Sequence, residues 1–512
     1  MLVKAFAGAV SGVDAILITV EVNLAGSFGF ALVGLPDNAV RESRERIEAA
    51  VRNNRLEYPR GKLTINMAPA DVRKEGSDYD LTLAMGILAA SGQVAADALE
   101  QYLIMGELLL DGSLKPIDGA LPIAIMARKQ GFKGFILPKD NANEAGIVDK
   151  LNIIPVRNLL EAVDFLNGNI SIEPANLDTR DLFNTTLHTF AEDFSDVRGQ
   201  EGVKRALEIA AAGSHNAIMI GPHGAGKTML AKRLPTILPP MTLNEALETT
   251  KIHSVAGHMR NRQGLIAQRP FRSPHHTVSD VALVGGGSVP KPGEISLSHN
   301  GVLFLDELPE FNRKVLEVMR QPLEDRKVSI SRSKFSVEYP ASFMLVASMN
   351  PCPCGYYNHP DKDCVCGAGV VAKYLARISG PLLDRIDLHI EVTPVKFDEL
   401  SGKACGETSE SIRQRVIQAR ERQIERFAPH PGIYSNAQMP PQMVREICLI
   451  EKASENLLKT AMSRLKLSAR AYDRILKVAR TIADLNGSPN IQVPHIAEAI
   501  QYRSLDREGW AG

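Results

Sequence analysis

Residues Gly221-Pro222-His223-Gly224-Ala225-Gly226-Lys227-Thr228 match the phosphate-loop pattern G-x-x-x-x-G-K-[ST] without deviation. Before them, Asn216-Ala-Ile-Met-Ile-Gly221 reads as a short buried strand; after them, Met229-Leu-Ala-Lys-Arg-Leu continues as a helix. This strand–loop–helix context is what the chemistry requires. Glycines let the backbone curl so that its N–H groups face phosphate oxygens, and the helix N-terminus adds positive partial charge. In this pattern Lys227 reaches the terminal phosphates of ATP and Thr228 ligates magnesium.

Working outward, Gly301-Val-Leu-Phe-Leu-Asp306-Glu307 is an apolar run ending in two carboxylates. Such a run predicts a fully buried parallel strand. Its end delivers Asp306 to the magnesium, and Glu307 stands where an attacking water must be polarised by a general base. A second buried strand, Phe343-Met-Leu-Val-Ala-Ser-Met-Asn350, ends in an amide suited to hydrogen-bond the terminal phosphate or the lytic water. Further on, Ser379-Gly-Pro-Leu-Leu-Asp-Arg385-Ile-Asp387 carries an arginine in a polar break, and Ser468-Ala-Arg470-Ala-Tyr-Asp-Arg474 opens a helix. For Arg385 a plain ion pair with Asp384 or Asp387 is the competing reading.

The 512 residues suggest about three domains. Lys and Arg total 59, as do Asp and Glu, so no global field advertises a polyanion partner and any such site is local. No apolar run approaches the roughly 18 residues that span a bilayer. The N-terminal Lys4 and Ala5-Phe-Ala-Gly-Ala-Val look faintly like an export signal, but Asp14 interrupts them and a β-hairpin is the better reading. Few cysteines beside an ATP site point to a reducing cytoplasm.

Residues 1–168 alternate strands and helices, with Lys62–Met67 a strand, Asp80–Ala90 a buried helix, and a hairpin from Tyr102 turning at Asp111-Gly112. Residues 169–189 lose apolar periodicity and read as a linker. Residues 190–395 hold the nucleotide motifs in an α/β core. Residues 396–512 are mainly helical. The arginines of the helix at Ser411–Phe427 are interleaved with Glu421 and Glu425, which predicts a solvated face, and Arg41–Arg46 reads the same way. Four cysteines, Cys352, Cys354, Cys364 and Cys366, cluster between Asn350 and Arg385 within a loop at 350–368. Four thiolates suit a closed tetrahedral zinc site, with redox disulfides as the rival reading. Cys405 and Cys448 read as isolated packing residues; His275 and His276 could be metal ligands, but without carboxylate or thiol company they read as merely polar.

The order of these landmarks resembles P-loop AAA+ ATPases of the helix-2-insert branch. The resemblance implies Asn350 as sensor 1, Arg385 as an arginine finger acting on a neighbouring subunit's ATP, and Arg470 as sensor 2. It therefore implies a homo-hexameric ring. Phe271-Arg-Ser-Pro-His-His276, Leu283-Val-Gly-Gly-Gly287 and Lys291-Pro-Gly-Glu294 resemble the helix-2 insert. Arg326-Lys-Val-Ser-Ile-Ser-Arg332-Ser-Lys334-Phe335 resembles the hairpin that points into the ring's pore, which makes Arg332 and Lys334 candidate DNA contacts; a solvated hairpin tip is the alternative. From Val33-Gly-Leu-Pro-Asp37 to the C-terminal helices the chain resembles the YifB/ComM family of magnesium-chelatase-like proteins. That resemblance implies an ATP-driven DNA helicase promoting branch migration during natural transformation. A chelatase-type motor remodelling a metal-inserting protein partner is the alternative.

Arg73-Lys-Glu-Gly76-Ser77-Asp78-Tyr-Asp80, Met105-Gly-Glu107-Leu and Leu114-Lys-Pro-Ile-Asp-Gly119-Ala resemble the Lon proteolytic domain, a fold like that of ribosomal protein S5. The nucleophile position falls on Asp78 and the lysine position on Leu121. Neither supplies the Ser–Lys chemistry, so a non-proteolytic domain is expected.

Overall fold

A computed structural model describes residues 2–26, 28–186, 190–259, 264–287, 290–332, 335–357, 359, 362–367, 369–395, 406–465, 467–503 and 505. Lys334 and Cys405 lie outside the described residues, as does the side chain of Arg332. Among the described residues no helix is long and apolar enough to cross a membrane.

The N-terminal region is built on nine strands. These are β1 (Leu2–Ser11), β2 (Asp14–Ala25), β3 (Gly29–Val33), β4 (Lys62–Ala68), β5 (Tyr102–Ile104), β6 (Glu107–Leu108), β7 (Leu114–Lys115), β8 (Gly134–Pro138) and β9 (Asn152–Val156). Seven of them form one sheet in the order β3-β4-β2-β1-β5-β8-β9. β1 and β2 pair antiparallel from Leu2↔Asn23 to Ser11↔Asp14, the expected hairpin. Two helices cover opposite faces. Gly86, in the wholly buried helix Asp80–Ala90, lies against Val22 and Ala5, whereas Gly8 lies against Ile123 of the helix Ala120–Lys129. Ala5 and Gly8 are an odd number of residues apart on one strand and so point to opposite faces. The hairpin expected from Tyr102 is shorter than its sequence suggests: only β6 and β7 pair, and β5 joins the large sheet instead.

The stretch expected to be an irregular linker is strapped to this region. Ala175 N–H donates to Ile153 O at 2.8 Å and Leu177 N–H to Gly146 O at 2.9 Å. A helix then runs over Thr179–Thr186, with Asp178 Oδ1 accepting from the N–H groups of Arg180 and Asp181 at 2.9 and 3.1 Å. Leu182 and Phe183 pack against the N-terminal core. A capping carboxylate and two apolar side chains outweigh the polar composition.

The second region carries β10 (Ala217–Ile220), β11 (Phe271–Arg272), β12 (Gly285–Gly286), β13 (Lys291–Pro292), β14 (Val302–Leu305), β15 (Lys327–Arg332), β16 (Phe335–Pro340), β17 (Met344–Met349) and β18 (Leu388–Glu391). Five strands form a parallel sheet in the order β11-β14-β17-β10-β18. β10, β14 and β17 are buried at every position, as parallel strands covered on both faces must be. Phe271-Arg272, read from sequence as the start of an insertion, is instead the edge strand of this sheet. The departure from it is narrower: a helix at Asp280–Val284, the β12–β13 ribbon, and a helix at Glu294–Leu297. β15 and β16 pair from Lys327↔Pro340 to Arg332↔Phe335.

The two regions share core and polar contacts. Met241, Ala246 and Leu265 belong to the apolar core of the N-terminal sheet. Helix Leu243–Val255 lies against helix Ala120–Lys129. Gly119 N–H donates to Ser254 O at 3.1 Å, and the Ser254 hydroxyl donates to buried Glu144. Lys251 pairs with Asp14 at 3.1 Å and Lys291 with Asp118 at 3.0 Å.

The C-terminal region is helical, with Ser409–Phe427, Pro441–Ile447, Lys452–Arg464, Ala469–Leu485 and Val493–Gln501 as its main helices. The first does not present the solvated arginine face expected. Arg415 reaches Glu208 at 2.6 Å, and Arg420 donates to Ala212 O and Ala211 O at 3.1 and 2.9 Å. Arg426 pairs with the buried carboxylate of Asp484, which also takes Arg480 at 3.0 Å. These side chains clasp the helix to Glu201–Gly213 and to Ala469–Leu485. Arg46 departs in the same way, binding the buried Asp80 carboxylate at 2.7 Å.

Candidate functional site

Parallel pairing brings the nucleotide motifs together. β17 lies between β14 and β10, and all three run the same way. The segments leaving their C-terminal ends are therefore neighbours: the phosphate loop after Ile220, Asp306-Glu307 after Leu305, and Asn350 after Met349. Open parallel sheets bind ligands at this end of their strands.

The side chains converge. Thr228 Oγ1 donates to Asp306 Oδ2 at 2.7 Å, and the other Asp306 oxygen accepts the hydroxyl of Ser348. Lys227 Nζ donates to Gly221 O at 2.7 Å, Pro222 O at 2.9 Å and Asn350 Oδ1 at 3.1 Å. Burial lowers the Lys227 pKa, against the pull of Asp306 and Glu307. Gly224 and Gly226 have φ of +76° and +85°, and a Cβ on either would meet only open space. The loop is therefore an open cradle whose glycines are required by its conformation, not by crowding. Gly221 is different, because a Cβ there would lie 2.2 Å from Val392 O.

Glu307 is held in the left-handed region at φ 55°, ψ 51°. That conformation costs a non-glycine residue about 1–2 kcal/mol. Its N–H is anchored by Asp306 Oδ1 at 3.1 Å and Ser348 Oγ at 3.4 Å. Its carboxylate, about half exposed, is 3.8 Å from His276 Nδ1. Ser348 is not singled out by the sequence, and His276, read there as merely polar, stands instead beside the Glu307 carboxylate. A serine inside the otherwise apolar strand β17 was the available signal for the first. His276 has none, because only the turn after β11 carries it to Glu307.

Asn350 leads directly into the four cysteines. Their sulfurs all lie within 4.8 Å of one another. Cys352–Cys354, Cys352–Cys364 and Cys354–Cys364 are separated by 3.3, 3.7 and 3.6 Å. Four sulfurs at the usual zinc–thiolate distance of about 2.3 Å from one centre would be about 3.8 Å apart. A disulfide needs about 2.05 Å, and all four are free thiols. Burial opposes ionisation of Cys354, yet hydrogen bonds from the Tyr356 backbone, Cys352 and the Val365 backbone draw its thiol down to about 6. The cluster fits one soft divalent metal.

Two expected site residues stand elsewhere. β18 pairs parallel to β10, with Ala217↔Leu388 and Ile220↔Glu391. Arg385 precedes β18 while the phosphate loop follows β10, so they lie at opposite ends of the sheet. Arg385 binds Glu324 and donates to Pro381 O at 2.6 Å. The carboxylates proposed as its plain ion-pair partners are taken by others: Asp384 by Arg470 at 2.8 Å, and Asp387 by Arg474 at 2.8 Å and His215 at 2.9 Å. Burial would raise the Asp387 pKa, but Arg474 and His215 hold it well below the usual carboxylate range. Arg385, Arg470 and Arg474 with Lys477 line one pocket at this far end. In the N-terminal region Leu121 is fully buried and its N–H donates to Glu144 at 3.2 Å.

Comparison with known proteins assigns the family. The family described as magnesium chelatase, subunit ChlI, matches residues 193–400. Its companions, subunit ChlI of Mg-chelatase and the ChlI C-terminal region, match residues 18–141 and 406–503. The competence protein ComM of Haemophilus influenzae is 45% identical over 498 residues, covering 97% of this chain and 96% of that protein. The uncharacterized protein YifB of Escherichia coli is 44% identical over 502 residues, covering 97% and 96%. Lon protease 2 of Bacillus subtilis is 30% identical over 161 residues, covering 29% of this chain and 28% of that protein. With its ATP-type phosphate loop, its five-stranded parallel sheet and near full-length similarity to both relatives, the chain belongs to the ComM/YifB family of magnesium-chelatase-like AAA+ proteins.

Proposed function

We propose that the protein is an ATP-driven, hexameric DNA translocase and helicase of the cytoplasm that promotes branch migration in recombination or natural transformation. The observation that carries the ring is the placement of Arg385 and Arg470 at the end of the sheet opposite the phosphate loop. One subunit then offers half of a site at each end of the sheet, and a closed ring pairs the halves at every interface. Support for DNA as partner comes from the 45% identity to a protein named for competence.

In this reading Gly221–Thr228 cradle the phosphates, Thr228 and Asp306 hold magnesium, and Lys227 and Asn350 bind the terminal phosphate. Magnesium, when bound, neutralises charge on the transferred phosphoryl group. Glu307 polarises water as general base, while Arg385 and Arg470 from the neighbouring subunit stabilise charge at the far side. The ribbon β12–β13 with its flanking helices is the helix-2 insert, the C-terminal helices form the lid, and Arg332 and Lys334 at the β15–β16 tip contact DNA in the pore. Cys352, Cys354, Cys364 and Cys366 hold zinc. The chain divides into 1–168, a Lon-like, ribosomal protein S5-like region with no proteolytic role, then 169–189, 190–395 and 396–512. The buried apolar Leu121 at the lysine position supports the non-proteolytic assignment.

ATPase rates with and without single-stranded, duplex and four-way-junction DNA test this reading. Stimulation by branched or single-stranded DNA is expected. A second reading, a chelatase-type motor acting on a protein partner, is favoured by the family matched at residues 193–400. ATPase activity indifferent to every DNA would select it.

A further inference from the structure

The thiol cluster and the phosphate loop share a wall. Gly355 follows Cys354 directly and faces the ring of His223, where a Cβ on it would lie 2.8 Å from Cδ2. His223 is part of the phosphate loop. On another edge its Nδ1 accepts from Asn350 Nδ2 at 3.5 Å, and Asn350 Oδ1 accepts from Lys227 at 3.1 Å. Asn350 is itself one residue removed from Cys352, which is fully buried. A continuous line of contacts therefore runs from the sulfurs through Gly355 and His223 to Asn350 and Lys227.

The loop that makes this contact is held among its described residues by short-range contacts: His359 N–H donates to Tyr356 O at 3.1 Å, and Lys362 Nζ lies 4.9 Å from the centre of the Tyr356 ring. Its described residues between Cys352 and Gly367 form no helix or strand, and Val365 is 82% exposed. Gly355 N–H donates to Cys352 O at 3.0 Å and Tyr357 N–H to Cys352 Sγ at 3.3 Å, both bonds closing on the first cysteine. A loop without an apolar core is ordered by its metal when one is bound.

We infer that the metal held by Cys352, Cys354, Cys364 and Cys366 is a brace for the phosphate loop, setting nucleotide affinity through the contact of Gly355 with His223. The inference rests on the ATP-binding reading of Gly221–Thr228. His223 is a positioning residue: it places Asn350 and keeps the loop open toward phosphate. Removing the metal frees Gly355, lets His223 shift, and withdraws Asn350 from Lys227.

The test measures zinc content and the Kd for a fluorescent ATP analogue on the full-length protein. Metal is released with a mercurial, the thiols are regenerated by excess reductant with a chelator present, and zinc alone is added back. About one zinc per chain is expected for a Cys₄ site. Affinity is expected to fall at least about tenfold on release and to recover on zinc addition, a shift of about 1.4 kcal/mol. The variant His223→Ala, which leaves the sulfurs intact, should keep its zinc, bind nucleotide more weakly, and no longer respond to zinc removal. His223→Asn, which retains an acceptor toward Asn350, should recover part of the affinity. Zinc present with an unchanged Kd after its release overturns the brace and leaves the ATP reading standing. Protein without metal at any stage overturns the metal itself. Zinc-loaded protein that binds no nucleotide overturns the ATP reading beneath both.

Discussion

Arg470 and Asp384 form an ion pair at 2.8 Å, and Asp384 is the residue immediately before Arg385. The first arginine of the long C-terminal helix and the arginine preceding β18 thus sit side by side, both remote from their own phosphate loop. Mixing Arg385→Ala subunits with Lys227→Ala subunits should restore part of the ATPase activity that each lacks alone, because one class of interface then holds both intact halves. Arg470→Ala should behave like Arg385→Ala in the same mixtures. Absence of rescue in rings verified as mixed by native mass spectrometry would refute action across the boundary.

Glu307→Gln should bind ATP with near-parental affinity and lose at least about two orders of magnitude in hydrolysis, as expected when a general base is removed from an intact cradle. Lys227→Ala should instead lose binding, since Lys227 ties the loop to Asn350. Single-turnover hydrolysis beside equilibrium binding separates the two. Glu307→Gln turning over at the parental rate would remove Glu307 from its role.

Asp484 is buried and takes Arg426 and Arg480 together. Asp484→Ala leaves both guanidinium groups without their carboxylate and should cost about 3–5 kcal/mol. Hydrogen exchange across Ala469–Leu485 and Ser409–Phe427 is the measurement, with loss of protection expected in both helices. Protection lost in one helix alone would mean that the clasp is not shared.

Glu144 lies at the junction of the two regions, and its burial raises its pKa, partly offset by hydrogen bonds from Ser254, Leu121 and Asn141. A carboxyl with a raised folded-state pKa contributes stability that is complete below its unfolded value and is lost as pH rises through the folded value. Glu144→Gln keeps an oxygen acceptor but cannot ionise. Its Tm should match the parent's near pH 4.5 and exceed it by a margin that grows as pH rises above that value. A margin that shrinks with pH would reverse the sign of the argument.

Arg332→Ala combined with Lys334→Ala should weaken DNA binding and flatten its salt dependence. Each lost phosphate contact removes roughly 0.7–0.9 from the slope of log K against log salt. ATP binding should survive, since β15 and β16 form a sheet separate from the five strands that carry the nucleotide site. An unchanged slope with full DNA-dependent ATPase activity would move the DNA contact away from this hairpin.

The nucleotide side of the site was legible because its parts are local motifs at the ends of apolar runs. Gly221–Thr228, Asp306 and Asn350 needed only the order of parallel strands to meet. The rest depended on packing between distant segments. Nothing in Ser411–Phe427 announces that Arg420 will find the carbonyls of Ala211 and Ala212, so alternating charges read as a wet surface. Phe271-Arg272 pairs over too short a length to show strand alternation, so from sequence alone it reads as an insertion. The helix Thr179–Thr186 was hidden in a polar composition, although Asp178, Leu182 and Phe183 were its signals. His276 came to Glu307 through a turn that no periodicity encodes.

The strap of residues 175–186, together with the contacts of Ser254 on Glu144 and Lys291 on Asp118, has a mechanical consequence. A domain hung on a loose tether can trail behind a moving motor and absorb none of its stroke. Here the N-terminal sheet is bolted to the ATPase core along a face. On the proposed motor reading, a displacement of that core passes to the sheet through helix Leu243–Val255, which lies against helix Ala120–Lys129.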